Sequence, residues 1–153
     1  MSTNILKKKS VSINFSSYLK SLILLMKPRV MSLVIFTCAV GLLVSPVKVE
    51  LFDASISIFF VAVGAGAAGT LNMWYEADLD KLMSRTCLRP IPTGKIEKKD
   101  ALLFGVALSF ISVFGLYYFS NLISASLLLL TIVFYVFVYT CLLYTSDAAD
   151  EVQ

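Results

Sequence analysis

The stretch Ala54-Ser55-Ile56-Ser57-Ile58-Phe59-Phe60-Val61-Ala62-Val63-Gly64-Ala65-Gly66-Ala67-Ala68-Gly69-Thr70-Leu71-Asn72-Met73-Trp74-Tyr75 runs directly into Glu76-Ala77-Asp78-Leu79-Asp80, and its reading decides the fold. From Ala54 to Tyr75 it carries no charge, and a helix needs about 20 mostly apolar residues to cross a hydrocarbon core. It therefore reads as a membrane span that ends abruptly in acid. The whole chain agrees: of 153 residues, 58% are hydrophobic and 15% charged, with a mean hydropathy of +0.85. A soluble domain could not cover its surface from that composition, and no room is left for a soluble catalytic domain.

Hydropathy places further spans at Val30–Val47, Ala101–Phe119 and Leu122–Tyr139, so the expected fold class is an all-α, multi-pass transmembrane bundle of about four helices. Basic residues stay on the cytoplasmic side. Lys7, Lys8, Lys9, Lys20, Lys27 and Arg29 precede the first span without an acid, and Lys81, Arg85, Arg89, Lys95, Lys98 and Lys99 populate the connection from Glu76 to Asp100. Both segments are expected in the cytoplasm. Residues 1–29 read as a basic N-terminal segment and not as a signal peptide, because no continuous apolar core follows the lysines. The net charge of +3 is too small to argue for nucleic acid.

The chemistry gathers where the second span ends. Asn72, Glu76 and Asp80 recur every four residues, so each step advances about 40° and the three side chains line one helical face. Asp78 points elsewhere. A column of oxygens suits Mg²⁺, which takes a few carboxylates, several waters and substrate phosphate oxygens; the same residues also suit a solvated, salt-bridged helix end. The polar Asn72 so deep in an apolar helix favours a site. The chain has no histidine, which removes both the usual neutral-pH base and the commonest ligand for softer metals.

Beyond the column, Arg85, Arg89 and Lys95 sit in a turn shaped by Pro90, Pro92 and Gly94. Arginine binds phosphate oxygens in pairs and lysine adds a point charge, or else these are simply retained cytoplasmic charges. Lys27 and Arg29 flank Pro28 at the same membrane face, either as anchors of the first span or as substrate-binding cations. The small residues from Gly64 to Gly69 allow close approach of another helix or of a flat ligand.

The string Asn72-Met73-Trp74-Tyr75-Glu76-x-Asp78-Leu79-Asp80-x-Leu82-Met83-x-Arg85-Thr86-x-x-Arg89-Pro90-Ile91-Pro92-x-Gly94 resembles the first signature of the UbiA-type intramembrane prenyltransferases. Asn-Met-Trp-Tyr, Arg-Thr-x-x-Arg-Pro-Ile-Pro and Lys27-Pro28-Arg29-Val30 are similar to the branch that farnesylates haem. The resemblance spans about Tyr18 to Thr140. It implies transfer of a farnesyl group from farnesyl diphosphate to a vinyl group of haem B, within membrane lipid and with Mg²⁺. Asn72, Glu76 and Asp80 would hold the metal as the catalytic set, and Arg85, Arg89, Lys95, Lys27 and Arg29 would bind substrate. The alternatives are a quinone-precursor or other aromatic acceptor, or a four-helix membrane protein without catalysis.

Two departures qualify the match. Glu76 stands where the family usually has aspartate, displacing the carboxylate by one methylene. The family has about nine spans and a second aspartate-rich motif, so the resemblance implies the front part of an enzyme, with residues 30–140 as a partial prenyltransferase domain that is inactive alone. Residues 141–153 open with C-L-L-Y-T-S-D-A-A-D-E through Glu151, similar to a translated sequencing adapter, and are expected to be a foreign tail.

Overall fold

The computed structural model describes residues 15–46, 49–81, 84, 86–139 and 141–142. Within them the chain forms five α-helices: α1 (Phe15–Leu25), α2 (Pro28–Val44), α3 (Leu51–Asp80), α4 (Lys98–Phe119) and α5 (Leu122–Phe134), the last continuing as a π-helical turn over Tyr135–Tyr139. No described residue is in a strand. The all-α membrane bundle is thus what the chain adopts.

The number of spans differs from the expected four. Among the described residues, α3 and α4 are long and apolar enough to cross a membrane. α1 and α2 pass only as a pair, bent by 52° at Met26-Lys27, and the apolar helix Leu122–Val138 is shorter than a span requires. The helix ends explain the difference. α2 stops at Val44 and not Val47, because Pro46 keeps Ser45 out of the helical region, at φ −59° and ψ 132°. α3 starts three residues earlier than hydropathy suggests and runs on through the acids to Asp80, since Glu, Ala, Asp and Leu do not break a helix. α1 escapes a hydropathy reading because Ser16, Ser17, Lys20 and Ser21 dilute its apolar residues.

α3 is the central element, packed against each of the other four helices. Its small residues permit this. A Cβ on Gly69 would stand 3.2 Å from the Met26 carbonyl oxygen, and one on Gly66 would overlap the Met26 side chain. One on Gly64 would meet Leu128 of α5 at 2.8 Å. Close helix packing, the plainer of the two readings of this stretch, is therefore one of its uses. The turn between α4 and α5 is Ser120-Asn121, as hydropathy suggests, and the Asn121 side chain caps α5 by accepting from the Ser124 backbone N–H at 2.7 Å.

The best-buried apolar cluster lies at one end of the bundle. Leu25, Met73, Ala77, Ile91, Ile96 and Ala101 pack together, with Tyr18, Leu22 and Trp74 against them. Elsewhere Phe36, Phe110, Phe114 and Tyr118 are exposed, a surface that lipid tolerates and water does not. The chain is a membrane protein whose tightest core lies beside its polar helix end.

Candidate functional site

The site is built on the last three turns of α3. Asn72 is fully buried, and its side-chain N–H donates to Glu76 Oε1 at 2.8 Å. Asp80, 5% exposed at its side chain, follows one turn later. The sequence spacing is realised as one face, as an unbroken α-helix requires.

Two cations reach that face from different elements. Arg89 Nη1 donates to both Asp80 oxygens at 2.9 Å and to Glu76 Oε2 at 3.3 Å. Its position follows from the loop's internal bonds. Arg89 N–H donates to Thr86 O at 3.0 Å, Thr93 N–H to Arg89 O at 3.1 Å and Gly94 N–H to Ile91 O at 3.0 Å, while Gly94 takes φ +73°. The Thr86 hydroxyl donates to Asp80 O at 3.3 Å, and buried Ile91 and Ile96 seat the loop on the core. The prolines and glycine thus make an ordered turn that returns Arg89 to the helix it left.

Lys27 arrives from the α1–α2 bend, and its ammonium donates to Asn72 Oδ1. Its backbone is left-handed, at φ 52° and ψ 67°, immediately before Pro28. A non-glycine residue there stores about 1–3 kcal/mol unless its surroundings dictate it, and a following proline disfavours helical geometry further. Here α1 on one side and Pro28-initiated α2 on the other dictate it, with Met26 lodged against Gly66 and Gly69. The strain is repaid by aiming a cation at a buried amide.

The other expected residues fall differently. Asp78 points away from the column, 70% exposed, pairing with Lys98 at 2.7 Å and Lys81 at 3.2 Å; the Lys98 ammonium also lies 5.8 Å from the Trp74 ring centroid. Arg29 and Lys95 are exposed, and neither is brought onto the column among the described residues. Arg85 lies outside the described residues. Sequence reasoning missed the Lys27–Asn72 hydrogen bond, because nothing local relates residues so far apart. It also missed a cavity of ≈ 580 Å³ between α2, α3 and α5, which Lys27 borders at one end.

Among the described residues no group of three or more histidine, cysteine or acidic side chains forms a metal cluster. The column offers two carboxylates and an amide oxygen, a hard oxygen set of the sort Mg²⁺ accepts when waters and phosphate supply the rest. Arg89 pairs with both carboxylates, and the Lys27 ammonium donates to the amide oxygen. The oxygens fit the ion, and Arg89 and Lys27 stand beside them as partners for a phosphate.

These features define a class: a helical membrane protein with a carboxylate column and facing cations at one end of a central, small-residue helix. The family model described as the UbiA prenyltransferase family matches residues 33–148, and the chain belongs to that family. Curated relatives named protoheme IX farnesyltransferase share 68% identity over 127 residues in Pelagibacter ubique, covering 83% of this chain and 41% of that protein. The relative of the same name from Rickettsia canadensis is 53% identical over 124 residues, 81% of this chain and 40% of that protein. One from Beijerinckia indica is 50% identical over 128 residues, 84% and 40%. The chain spans about two fifths of the length of these relatives. No solved structure matches it.

Proposed function

We propose that the chain carries the first diphosphate-binding half-site of a protohaem IX farnesyltransferase, acting on farnesyl diphosphate and haem B in a bacterial inner membrane. The observation that carries the reading is the convergence of Arg89 and Lys27 on Asn72, Glu76 and Asp80. The names of the relatives support haem over a quinone-precursor acceptor.

In the proposed reaction the allylic carbon–oxygen bond of farnesyl diphosphate breaks, and its electron pair stays on the diphosphate. A carbon–carbon bond forms to the terminal carbon of a haem vinyl group. Water adds to the other vinyl carbon and loses a proton, so haem O and diphosphate are the products. The difficulty lies in the charge that develops on the leaving oxygens, and preorganised cations stabilise charge where it forms. Arg89 supplies a fork of donors and Lys27 a compact ammonium on the membrane side. Mg²⁺, when bound by Glu76, Asp80 and Asn72, would add its own charge to the leaving oxygens. The burial of Asn72 and Asp80 lowers the local dielectric and strengthens these interactions.

The basic loop carrying Lys81, Arg89, Lys95, Lys98 and Lys99 supports a cytoplasmic location for this end. The test is Mg²⁺-dependent binding of a non-hydrolysable farnesyl thiodiphosphate to the chain in nanodiscs. Binding that is lost on chelation, and in the Glu76→Gln, Asp80→Asn double variant, supports the reading. Equal binding with and without Mg²⁺ and in that variant overturns it.

A further inference from the structure

The 11 residues of α1 are too few to cross a membrane. At 3.6 residues per turn its side chains divide into distinct arcs. Tyr18, Ser21, Leu22 and Leu25 share an arc of about 100°, in which Ser21 and Leu25 are buried and Tyr18 and Leu22 pack on the apolar cluster. Phe15, Leu19 and Ile23 fill the next arc of about 80° and are 77%, 44% and 58% exposed. Ser16, Ser17 and Lys20 fill the remaining arc, and they are exposed too. Leu24 is the exception in that polar arc, and it sits in the last turn, next to α2.

Packing sets the level of this helix. The cluster that holds it draws Met73 and Ala77 from the last turns of α3, Ile91 and Ile96 from the basic loop and Ala101 from the start of α4. α1 therefore stands level with the charged end of the bundle and not with the apolar middles of α3 and α4. The bend of 52° sets its course. Ten helical steps make about 15 Å, of which about 9 Å run along the axis of α2 and about 12 Å across it. α2, with 17 residues, reaches the short limit of a span without help from α1. A helix in the boundary between headgroups and acyl chains buries its apolar face about 5–10 Å deep and keeps its polar face in the headgroups. With protein on one side, the arcs of α1 match that boundary.

Charge selects what covers the exposed arcs. Residues 1–29 hold six basic side chains and no acid, and Lys20 is exposed on the polar arc. A second copy docked through this face would bring two such segments together with no acid between them, like charge against like. A bilayer containing anionic phospholipid offers hydrocarbon to Phe15, Leu19 and Ile23 and phosphate to Lys20, whose long stem carries its ammonium up to the headgroups. We propose that α1 is a membrane-surface helix, separate from the first span, that seats this end of the bundle on anionic phospholipid: Phe15, Leu19 and Ile23 enter the acyl boundary and Lys20 meets the lipid phosphates.

The experiment reads depth and lipid preference from a lone tryptophan, with the chain reconstituted in phosphatidylcholine or in an equal mixture with phosphatidylglycerol. In a Trp74→Phe background, Leu19→Trp reports on α1, and Phe110→Trp, exposed near the middle of α4, reports on the hydrocarbon. Leu19→Trp should be quenched more by lipids brominated close to the glycerol than by lipids brominated deep in the chain, and Phe110→Trp the reverse. Brominated phosphatidylglycerol should show about fivefold the affinity of brominated phosphatidylcholine at Leu19→Trp. Lys20→Gln, or salt at about 1 M, should remove that preference. Phe15→Trp gives the same reading should Leu19→Trp fail to fold. Equal depth for the two reporters would place α1 inside the first span and overturns the proposal. So does quenching of Leu19→Trp by aqueous acrylamide with no response to either brominated lipid, which would leave the face to water or to a second copy. A phosphatidylglycerol preference that is absent, or that survives Lys20→Gln, overturns the headgroup contact.

Discussion

Two sets of ion pairs share the end of α3 and differ in little but the direction they face. Glu76 and Asp80 point inward, where Asp80 is 5% exposed and Arg89 closes on both of its oxygens. Asp78 points outward, 70% exposed, with Lys98 and Lys81 beside it. Residue types, helix and separations are nearly the same. The inner carboxylates are largely shielded from water and share one arginine, so their attraction to it is weakly screened; the outer pair is shared with water and screened by salt. Charge at a helix end therefore says little until its face is known.

The contrast is broken most severely at Asp80. Asp80→Ala leaves the half-buried Arg89 with Glu76 alone, and is expected to destabilise the chain by about 1.5–3 kcal/mol and to abolish Mg²⁺-dependent diphosphate binding. Thermal unfolding in detergent, followed by the fluorescence of Trp74, the chain's single tryptophan, measures the first effect, and ligand competition the second. Asp80→Ala, Arg89→Leu should recover much of the stability and none of the binding. If it recovered neither, the pairing would not be what stabilises this end of the bundle.

Next in size is a change behind the column. Gly69→Val forces a branched side chain onto the Met26 carbonyl oxygen, 3.2 Å from where its Cβ would lie. Overpacking of this kind costs about 1–3 kcal/mol. It should also move the α1–α2 bend that carries Lys27, so diphosphate binding should weaken more than the stability loss accounts for. Unchanged affinity at reduced stability would uncouple the bend from the site.

Lys27 sharpens the comparison, because its two properties separate by substitution. Lys27→Gly relieves the left-handed backbone, whereas Lys27→Ala keeps most of the strain; both remove the ammonium. The glycine variant should be the more stable of the two by about 1 kcal/mol, with diphosphate affinity reduced about tenfold in both. Smallest of all is Asp78→Asn on the outer face. Its melting temperature and diphosphate affinity should match those of the parent chain at physiological salt. A large loss in either would mean that the outward pairs hold the loop in place after all.

Much of the site was legible in advance because it is local. Asn72, Glu76 and Asp80 share one helix, and helical periodicity alone aligns them. The outward direction of Asp78 follows from the same arithmetic. Arg89 was legible as a residue of the right chemistry in a turn of the right composition, although its partner atoms were not. Lys27 could be equally an anchor or a ligand, since only the bend at Met26-Lys27 brings it beside Asn72. Arg29 and Lys95 carried the same chemical promise, and the fold leaves both exposed.

Composition, hydropathy and charge determined by themselves that this chain is an all-helical membrane protein with an acidic column at one end of a small-residue helix. Those properties are sums over neighbours along the chain, and a helix converts them directly into a face. Where each span ends was decided by Pro46, by the helix-compatible acids after Tyr75 and by the bend before Pro28, which local averages blur. Only the tertiary structure set Lys27 and Arg89 on the column and opened a cavity beside them. Those arrangements depend on a left-handed residue, a hydrogen-bonded loop and glycines met by distant side chains, and none of these is a property of any single stretch of sequence.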